Sequence, residues 1–201
     1  MVNHKNELIN QIIFITGFMA SGKTTIGKLL AKKLSLTYYD TDELIEEKTG
    51  LQIYKIFEKY GENHFRKLER EVLIELIDKV KRTGGVVSTG GGLPCYYNNM
   101  ELMKKAGKVV YLEVNPEDVY KRIKNIKLRP VYQKLMNKKN PLKEIEKLLK
   151  SREKYYKKAD LCINTSKDKD LESVDSIVSR IIRAFSDSTS AYIKDNSSSA
   201  F

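Results

Sequence analysis

The sequence predicts an α/β domain, a parallel sheet held in three layers between helices on both faces. Two observations predict it. Short apolar, β-branched runs alternate along the chain with segments of helical periodicity, the order that builds parallel strands through crossover helices. The first such run also ends in a glycine-rich octet that opens directly into a helix, Gly17-Phe18-Met19-Ala20-Ser21-Gly22-Lys23-Thr24. At 201 residues the chain suits one such domain, long enough to bury a core without disulfide or metal staples.

Gln11 to Thr16 (QIIFIT) reads as the first, buried strand. A helix from Ser21 to Leu34 follows, its apolar stripe at Ile26, Leu29, Leu30 and Leu34. A second strand ends near Tyr38-Tyr39, and two helical stretches come next, Asp42–Lys48 and Ile53–Tyr60, parted by Gly50. Residues 62–82 form a long helix with Phe65, Leu68, Val72, Leu76 and Val80 on one face. Val86-Val87-Ser88 makes the third strand and runs into Gly90-Gly91-Gly92, and Lys108–Val114 makes the fourth. Asn115-Pro116-Glu117-Asp118 has the cap, proline and acids of a helix start. Leu161-Cys162-Ile163 is a fifth strand before a last helix through Leu171, Val174, Ile177, Val178 and Ile181. Two segments stand apart: Ile126–Asn140, basic and bounded by Pro130 and Pro141, reads as a mobile loop, and Ser-rich Ser186–Phe201 as a disordered tail. The domain is therefore expected over residues 1–185.

Composition narrows the function. Lys and Arg total 37 against 26 Asp and Glu, a net charge of +11 that suits anionic partners. The lysines are scattered along helices, and no RNP-like motif, zinc finger or basic stripe interleaved with aromatics is present, so no nucleic-acid partner is expected. No apolar run approaches the roughly 20 residues of a membrane span. The polar N-terminus leads straight toward a strand without signal- or transit-peptide character, so a cytoplasmic location is expected. Cys95 and Cys162 form no CxxC pair, and the two histidines, His4 and His64, are too few for a His-based metal site.

The octet matches G-x-x-x-x-G-K-[ST] in full, between a strand and a helix. Its glycines let backbone N–H groups close around phosphate, and the helix N-terminus adds favourable dipole charge. Lys23 reaches the β- and γ-phosphates of a nucleoside triphosphate, and the Thr24 hydroxyl completes a Mg²⁺ shell. A phosphate-binding loop therefore predicts ATP and Mg²⁺, and Gly17, Ala20, Ser21, Gly22, Lys23, Thr24 and Thr25 are its candidate residues.

The acceptor needs other residues. Asp40 and Asp42 follow the second strand two apart, so in an extended chain both carboxylates face one side, near Mg²⁺ and substrate hydroxyls. Asp42 serves equally well as a cap for the helix after it. Arg66 and Glu69 share a helix face, which orients an arginine for a carboxylate but also describes a surface ion pair. Gly90, Gly91 and Gly92 admit a ligand close to backbone, or make a plain tight turn. Arg152 and Arg129, each taken alone, are solvated charges.

Together GFMASGKTT, YDTDELIEEKTG, the FRKLE of Phe65–Glu69, STGGG, Arg129-Pro130 and SREKYY resemble the shikimate kinase family in order and spacing, over about Gln11 to Phe185. The resemblance implies a nucleoside-monophosphate-kinase-like fold with sheet order 2-3-1-4-5, and transfer of the ATP γ-phosphoryl group to the 3-hydroxyl of shikimate, a step of aromatic amino acid biosynthesis. It implies that Lys23, Asp42 and Arg129 are catalytic, with Asp42 on the ring hydroxyls and Arg129 closing over the ATP phosphates from a lid at about 126–140. Arg66 and Arg152 would clamp the substrate carboxylate, and Gly90, Gly91 and Gly92 would lie against the ring. Ile53, Phe57 and Phe65 would line its apolar side. Asp40 would hold a Mg²⁺-bound water, Ser88 would stand at the modified Walker B position, and Asn164-Thr165 would meet adenine. The partners are then shikimate and ATP, with no nucleic acid, no membrane and a monomeric chain. Val131-Tyr132 departs from the two leucine-like residues usual in the family's lid, and the tail beyond Ser186 runs past the usual family end. Two rivals remain on sequence: a kinase for gluconate, a nucleoside monophosphate or another hydroxylated anion, and a nucleotide-dependent regulator or nucleic-acid-associated ATPase.

Overall fold

A computed structural model describes residues 10–124, 136–166 and 173–197, with backbone alone at 124 and over 187–197. Its centre is a five-stranded parallel sheet in the order β2-β3-β1-β4-β5. The strands are β1 (Ile12–Gly17), β2 (Tyr38–Asp40), β3 (Gly85–Ser88), β4 (Lys108–Glu113) and β5 (Leu161–Asn164). β1 lies in the middle, with Ile13 in register with Val86 of β3 on one side and with Lys108 of β4 on the other. All six of its residues are buried, as a strand covered on both faces requires.

Successive side chains of β1 feed two different cores, because strand side chains alternate between faces. Ile13 and Ile15 pack with Ile26, Leu30 and Leu34 of α1 (Lys23–Leu34) and with Ile177, Val178 and Ile181 of the last helix. Ile12 and Phe14 pack against Leu73, Leu76 and Val80 of α3 (Ile53–Val80) and Met100 and Met103 of α4 (Asn99–Ala106). Each fully buried apolar side chain of this kind contributes about 1.5–3 kcal/mol. A third core joins Phe18, Tyr111 and Val119 to Ile145 and Tyr156, under α5 (Pro116–Lys124) and α6 (Pro141–Tyr156).

α4 had no counterpart in the sequence reading, since its eight residues hold too few apolar positions to show a period against the polar run before them. The last helix, α7 (Val174–Ser197), continues past Ser186, where the sequence reading starts an unstructured tail. Among the described residues no helix is long and apolar enough to cross a membrane.

α2 (Thr41–Thr49) and the stretch of α3 from Ile56 to Val72 carry a small core of their own around Ile45, Ile56, Phe65, Leu68 and Val72. Within α3, Gly61 has φ 76° and ψ 174°, a conformation open in practice only to glycine. It breaks the span into two helical pieces, matching the stretches expected up to Tyr60 and from residue 62.

Candidate active site

At the carboxyl end of β1 the chain leaves the sheet through Gly17 (φ 148°) and enters α1 through Gly22 (φ 95°), with Ala20 also at positive φ (59°). A Cβ at Gly17 would lie 2.6 Å from the Leu112 carbonyl and 2.9 Å from Ser21 Oγ, so only glycine fits there. α1 has no side-chain cap and no acid in its first turn, which leaves its N–H groups for an anion. Lys23 Nζ donates to the carbonyls of Gly17 (3.0 Å) and Phe18 (2.8 Å), folded back along the loop. Ser21 is 1% exposed, and its Oγ has no hydrogen-bond partner among the described residues. Thr24 and Thr25 are exposed at the start of α1. Arg122 of α5, which the sequence reading missed, donates to the carbonyls of Ala20 (2.8 Å) and Thr165 (2.8 Å), and Thr165 Oγ1 donates to the Ser21 carbonyl (3.2 Å). These bonds fasten the loop to the end of β5, beside exposed Asn164, whose Oδ1 accepts from the Ser166 N–H.

The second strand delivers the acids, though not in the extended geometry expected. α2 begins at Thr41, so Asp40 is its cap: Asp40 is extended (φ −122°, ψ 123°) and accepts from the Asp42 N–H at 2.9 Å. Asp42 therefore stands in the first turn, and the capping role considered for it belongs to Asp40. Tyr38 donates to Asp40 Oδ2 (3.3 Å) and its hydroxyl also meets Ser88 and Thr24. Burial and the Asp40 charge push the Tyr38 phenol up to about 12, against the pull of the Ser88 bond, so it remains a proton donor. Ser88 donates to the Lys23 carbonyl at 3.2 Å, tying the end of β3 to α1.

The three glycines after β3 form the meeting point. A Cβ at Gly90 would lie 2.6 Å from Asp42 Oδ1 and 2.9 Å from Glu69 Oε1, and one at Gly92 would strike Arg66 Nη1. One at Gly91 would lie 3.4 Å from the Gly17 carbonyl and 3.7 Å from Arg152 Nη1. Close approach rather than positive φ calls for glycine at 90 and 92, whereas a Cβ at 91 would make only ordinary contacts. Tyr156 of α6 donates to the Gly91 carbonyl, and Thr41 Oγ1 accepts from the Gly90 N–H at 2.9 Å. One short stretch of backbone thus touches the phosphate loop, Asp42, Glu69, Arg66 and Arg152.

Arg66 is 6% exposed, so it is not the surface ion pair that its spacing also allowed. Nη1 donates to Glu69 Oε2 (2.7 Å), and Nε and Nη2 donate to Glu62 Oε1 (3.1 and 2.8 Å). Burial pushes the Glu69 carboxyl up to about 7 despite the Arg66 charge, and Asp42 adds to the rise. The Arg66 bond holds Glu62 below the usual carboxylate range. Glu62 escaped notice in the sequence, although its position four residues before Arg66 is the spacing that pairs an acid with a base on a helix. Phe57 and Phe65 pack with ring centroids 4.5 Å apart and planes tilted by 38°, with Phe65 buried and Phe57 and Ile53 half-buried. Of the basic loop expected over 126–140 only 136–140 falls among the described residues. Arg129, Val131 and Tyr132 lie outside them.

The chain matches a family model described as shikimate kinase over residues 19–182. A shikimate kinase of Sulfurihydrogenibium sp. is 46% identical over 171 residues, covering 85% of this chain and 98% of the relative. Among solved structures, a shikimate kinase from Bacteroides thetaiotaomicron superposes with a TM-score of 0.77 at 35% identity, covering 87% of this chain and 98% of its own. One from Acinetobacter baumannii, in complex with shikimate, gives 0.77 at 34% identity, with coverage of 90% and 96%. With the family model spanning most of the sequence and the same parallel sheet beneath the site, this chain belongs to the shikimate kinase family.

Proposed function

We propose that this chain transfers the γ-phosphoryl group of ATP to the 3-hydroxyl of shikimate, releasing ADP and shikimate 3-phosphate. The observation that carries this reading is the convergence of Asp42, Arg66 and Arg152 on Gly90–Gly92, with Gly91 beside the phosphate loop. A hydroxylated ring acid can there meet two guanidinium groups at one end and a carboxylate near the nucleotide at the other. The named relatives support the choice of acid.

Phosphoryl transfer has a loose transition state, so positioning and neutralisation of charge do most of the work. Lys23 leaves its loop carbonyls for the β- and γ-phosphates, and the amides from Ala20 to Thr25 take the remaining oxygens. Arg66, held by Glu69 and Glu62, pairs with Arg152 on the substrate carboxylate, so an acceptor without that group leaves two cations unpaired. Asp42 accepts hydrogen bonds from ring hydroxyls and is placed to take the proton as the hydroxyl attacks. Ile53, Phe57 and Phe65 give the ring an apolar wall. Arg129 closes over the phosphates, which excludes water and suppresses futile ATP hydrolysis. Asn164 and Thr165 border the adenine.

Thr24, Asp40, Ser88 and Tyr38 present oxygen donors only, a set that fits Mg²⁺. Mg²⁺ keeps most of its waters and binds phosphate oxygens, and among the described residues no group of three or more His, Cys, Asp or Glu could hold a metal by itself. Thr24 would hold the ion directly and Asp40 through water; the ion supplies neutralisation of charge on the transferring group.

ADP release measured with shikimate, gluconate and nucleoside monophosphates as acceptors tests the reading. Turnover with shikimate at a kcat/KM at least about a hundredfold above the others is expected, since gluconate and nucleotides, although anionic, do not place a carboxylate between Arg66 and Arg152 and a ring hydroxyl at Asp42 in one rigid frame. Preference for gluconate or a nucleotide overturns it.

A further inference from the structure

Tyr96 has no task in the proposed reaction, yet it touches Arg66, a cation of the cleft. It follows the short turn Leu93–Cys95 after the glycines and meets α3 at Glu62 and Arg66. The Arg66 guanidinium carbon lies 4.4 Å from the Tyr96 ring centroid, nearer than to Phe65 (5.3 Å) or Phe57 (5.9 Å). The Tyr96 hydroxyl donates at 3.1 Å to Glu62 Oε1, the oxygen that also takes Nε and Nη2 of Arg66. Tyr96, Glu62 and Arg66 thus close a three-membered network from two separate elements, next to the Gly61 kink.

A guanidinium must be held in two senses before it can fork a carboxylate: its plane, and its rotation within that plane. Glu69 and Glu62 fix the rotation by gripping Nη1 and the Nε–Nη2 edge. Two acceptors leave the plane free chiefly to tilt about the line that joins them. A ring lying over the guanidinium stops that tilt, and the hydroxyl bond fixes the ring in turn. Tyr96 is 37% exposed and belongs to none of the four hydrophobic clusters among the described residues, while its side chain meets Arg66 and Glu62.

We propose that Tyr96 is a positioning residue for the substrate-carboxylate clamp: its ring sets the plane of Arg66, and its hydroxyl holds the Glu62 carboxylate that grips the guanidinium's side edge, turning the edge between Nη1 and Nη2 to the substrate. The inference deepens the proposed shikimate phosphorylation and rests on it. The positioning is distinct from that by Glu69, which acts from the same helix as Arg66 and within the core.

The full chain and its variants Y96F, Y96L, E62Q and Y96F/E62Q, compared by steady-state kinetics with each substrate varied, by calorimetric titration with shikimate and by thermal unfolding, test it. Y96F should raise KM and Kd for shikimate about three- to tenfold, as loss of one partly exposed hydrogen bond does. Y96L, which also removes the stack, should raise them about tenfold or more. KM for ATP and the unfolding midpoint should stay at wild-type values. Because the hydroxyl acts through the charge of Glu62, Y96F should cost less in the E62Q background, where the amide still accepts the hydroxyl bond but has lost the charge that grips Arg66, than in the wild type. A Y96L enzyme within twofold of wild type for shikimate overturns the inference, as do additive Y96F and E62Q effects or a parallel rise in both KM values with a lowered midpoint. If Y96L does not fold, Y96F and its cycle with E62Q decide. A wild-type chain that neither turns over nor binds shikimate overturns the proposed reaction along with this inference; turnover indifferent to Tyr96 overturns the inference alone.

Discussion

Glu69 has 1% of its side chain exposed, bonds Arg66 at 2.7 Å and stands near a second carboxylate, Asp42, across Gly90. Burial opposes its charge, the neighbouring acid opposes it further, and Arg66 and Arg152 favour it; the sum lifts the group from 4.5 to about 7. The folded state therefore holds this proton more tightly than the unfolded chain. Its contribution to stability is complete below about pH 4.5 and is lost as pH rises through about 7. Glu69→Gln carries an amide that does not titrate. Thermal midpoints measured from about pH 5 to about pH 7.5 should fall less steeply with rising pH in this variant than in the wild type. Equal slopes would place the titration elsewhere. Arg66 makes the complementary point: three of its nitrogens are committed to two carboxylates, geometry that a lysine's single ammonium cannot reproduce.

α3 serves two cores. Its later turns lie on the sheet through Leu73, Leu76 and Val80, while Ile56 before the kink and Phe65, Leu68 and Val72 after it pack with Ile45 of α2. Gly61 lies between Ile56 and Phe65, and a Cβ there would meet nothing within 4 Å. Any cost of Gly61→Ala is therefore one of backbone conformation and not of collision, about 1–3 kcal/mol for a non-glycine residue held in that region. The free energy of unfolding from urea titration should drop by that amount. An unchanged or higher value would mean the kink relaxes into straight helix, a movement that would carry Glu62 and Arg66 away from Tyr96.

On the scale of the whole molecule, a surplus of +11 meets two anionic substrates. The cleft gathers Lys23, Arg66 and Arg152 behind the carboxyl ends of the strands, and the remaining lysines are scattered along the chain. Such a field draws anions inward and is screened by salt over about 10 Å at 0.1 M. The kcat/KM for shikimate should fall several-fold between about 20 mM and about 200 mM NaCl, where the screening length shortens from roughly 20 Å to under 10 Å. A flat response would assign the charge to surface remote from the cleft.

The alternation of strand and helix, the phosphate loop and the glycine run were legible in the sequence because each is local. A period of two or 3.6 shows in a dozen residues, and the octet from Gly17 to Thr24 constrains the backbone that bears it. The family's motifs extended this to Asp42, Arg66 and Arg152, and to the strand order that the sheet adopts. Partnerships were not legible. Whether Arg66 faced solvent or a cleft, whether Asp40 or Asp42 capped α2, and that Tyr96 and Arg122 would reach residues 30 and 102 positions away depended on contacts between elements. Charge, spacing and residue type in one segment carry no record of what the neighbouring segment buries. The chain order therefore determined the cradle for phosphate, and packing decided which cations were desolvated and aimed, since burial and orientation belong to the assembled sheet and helices rather than to any stretch of them.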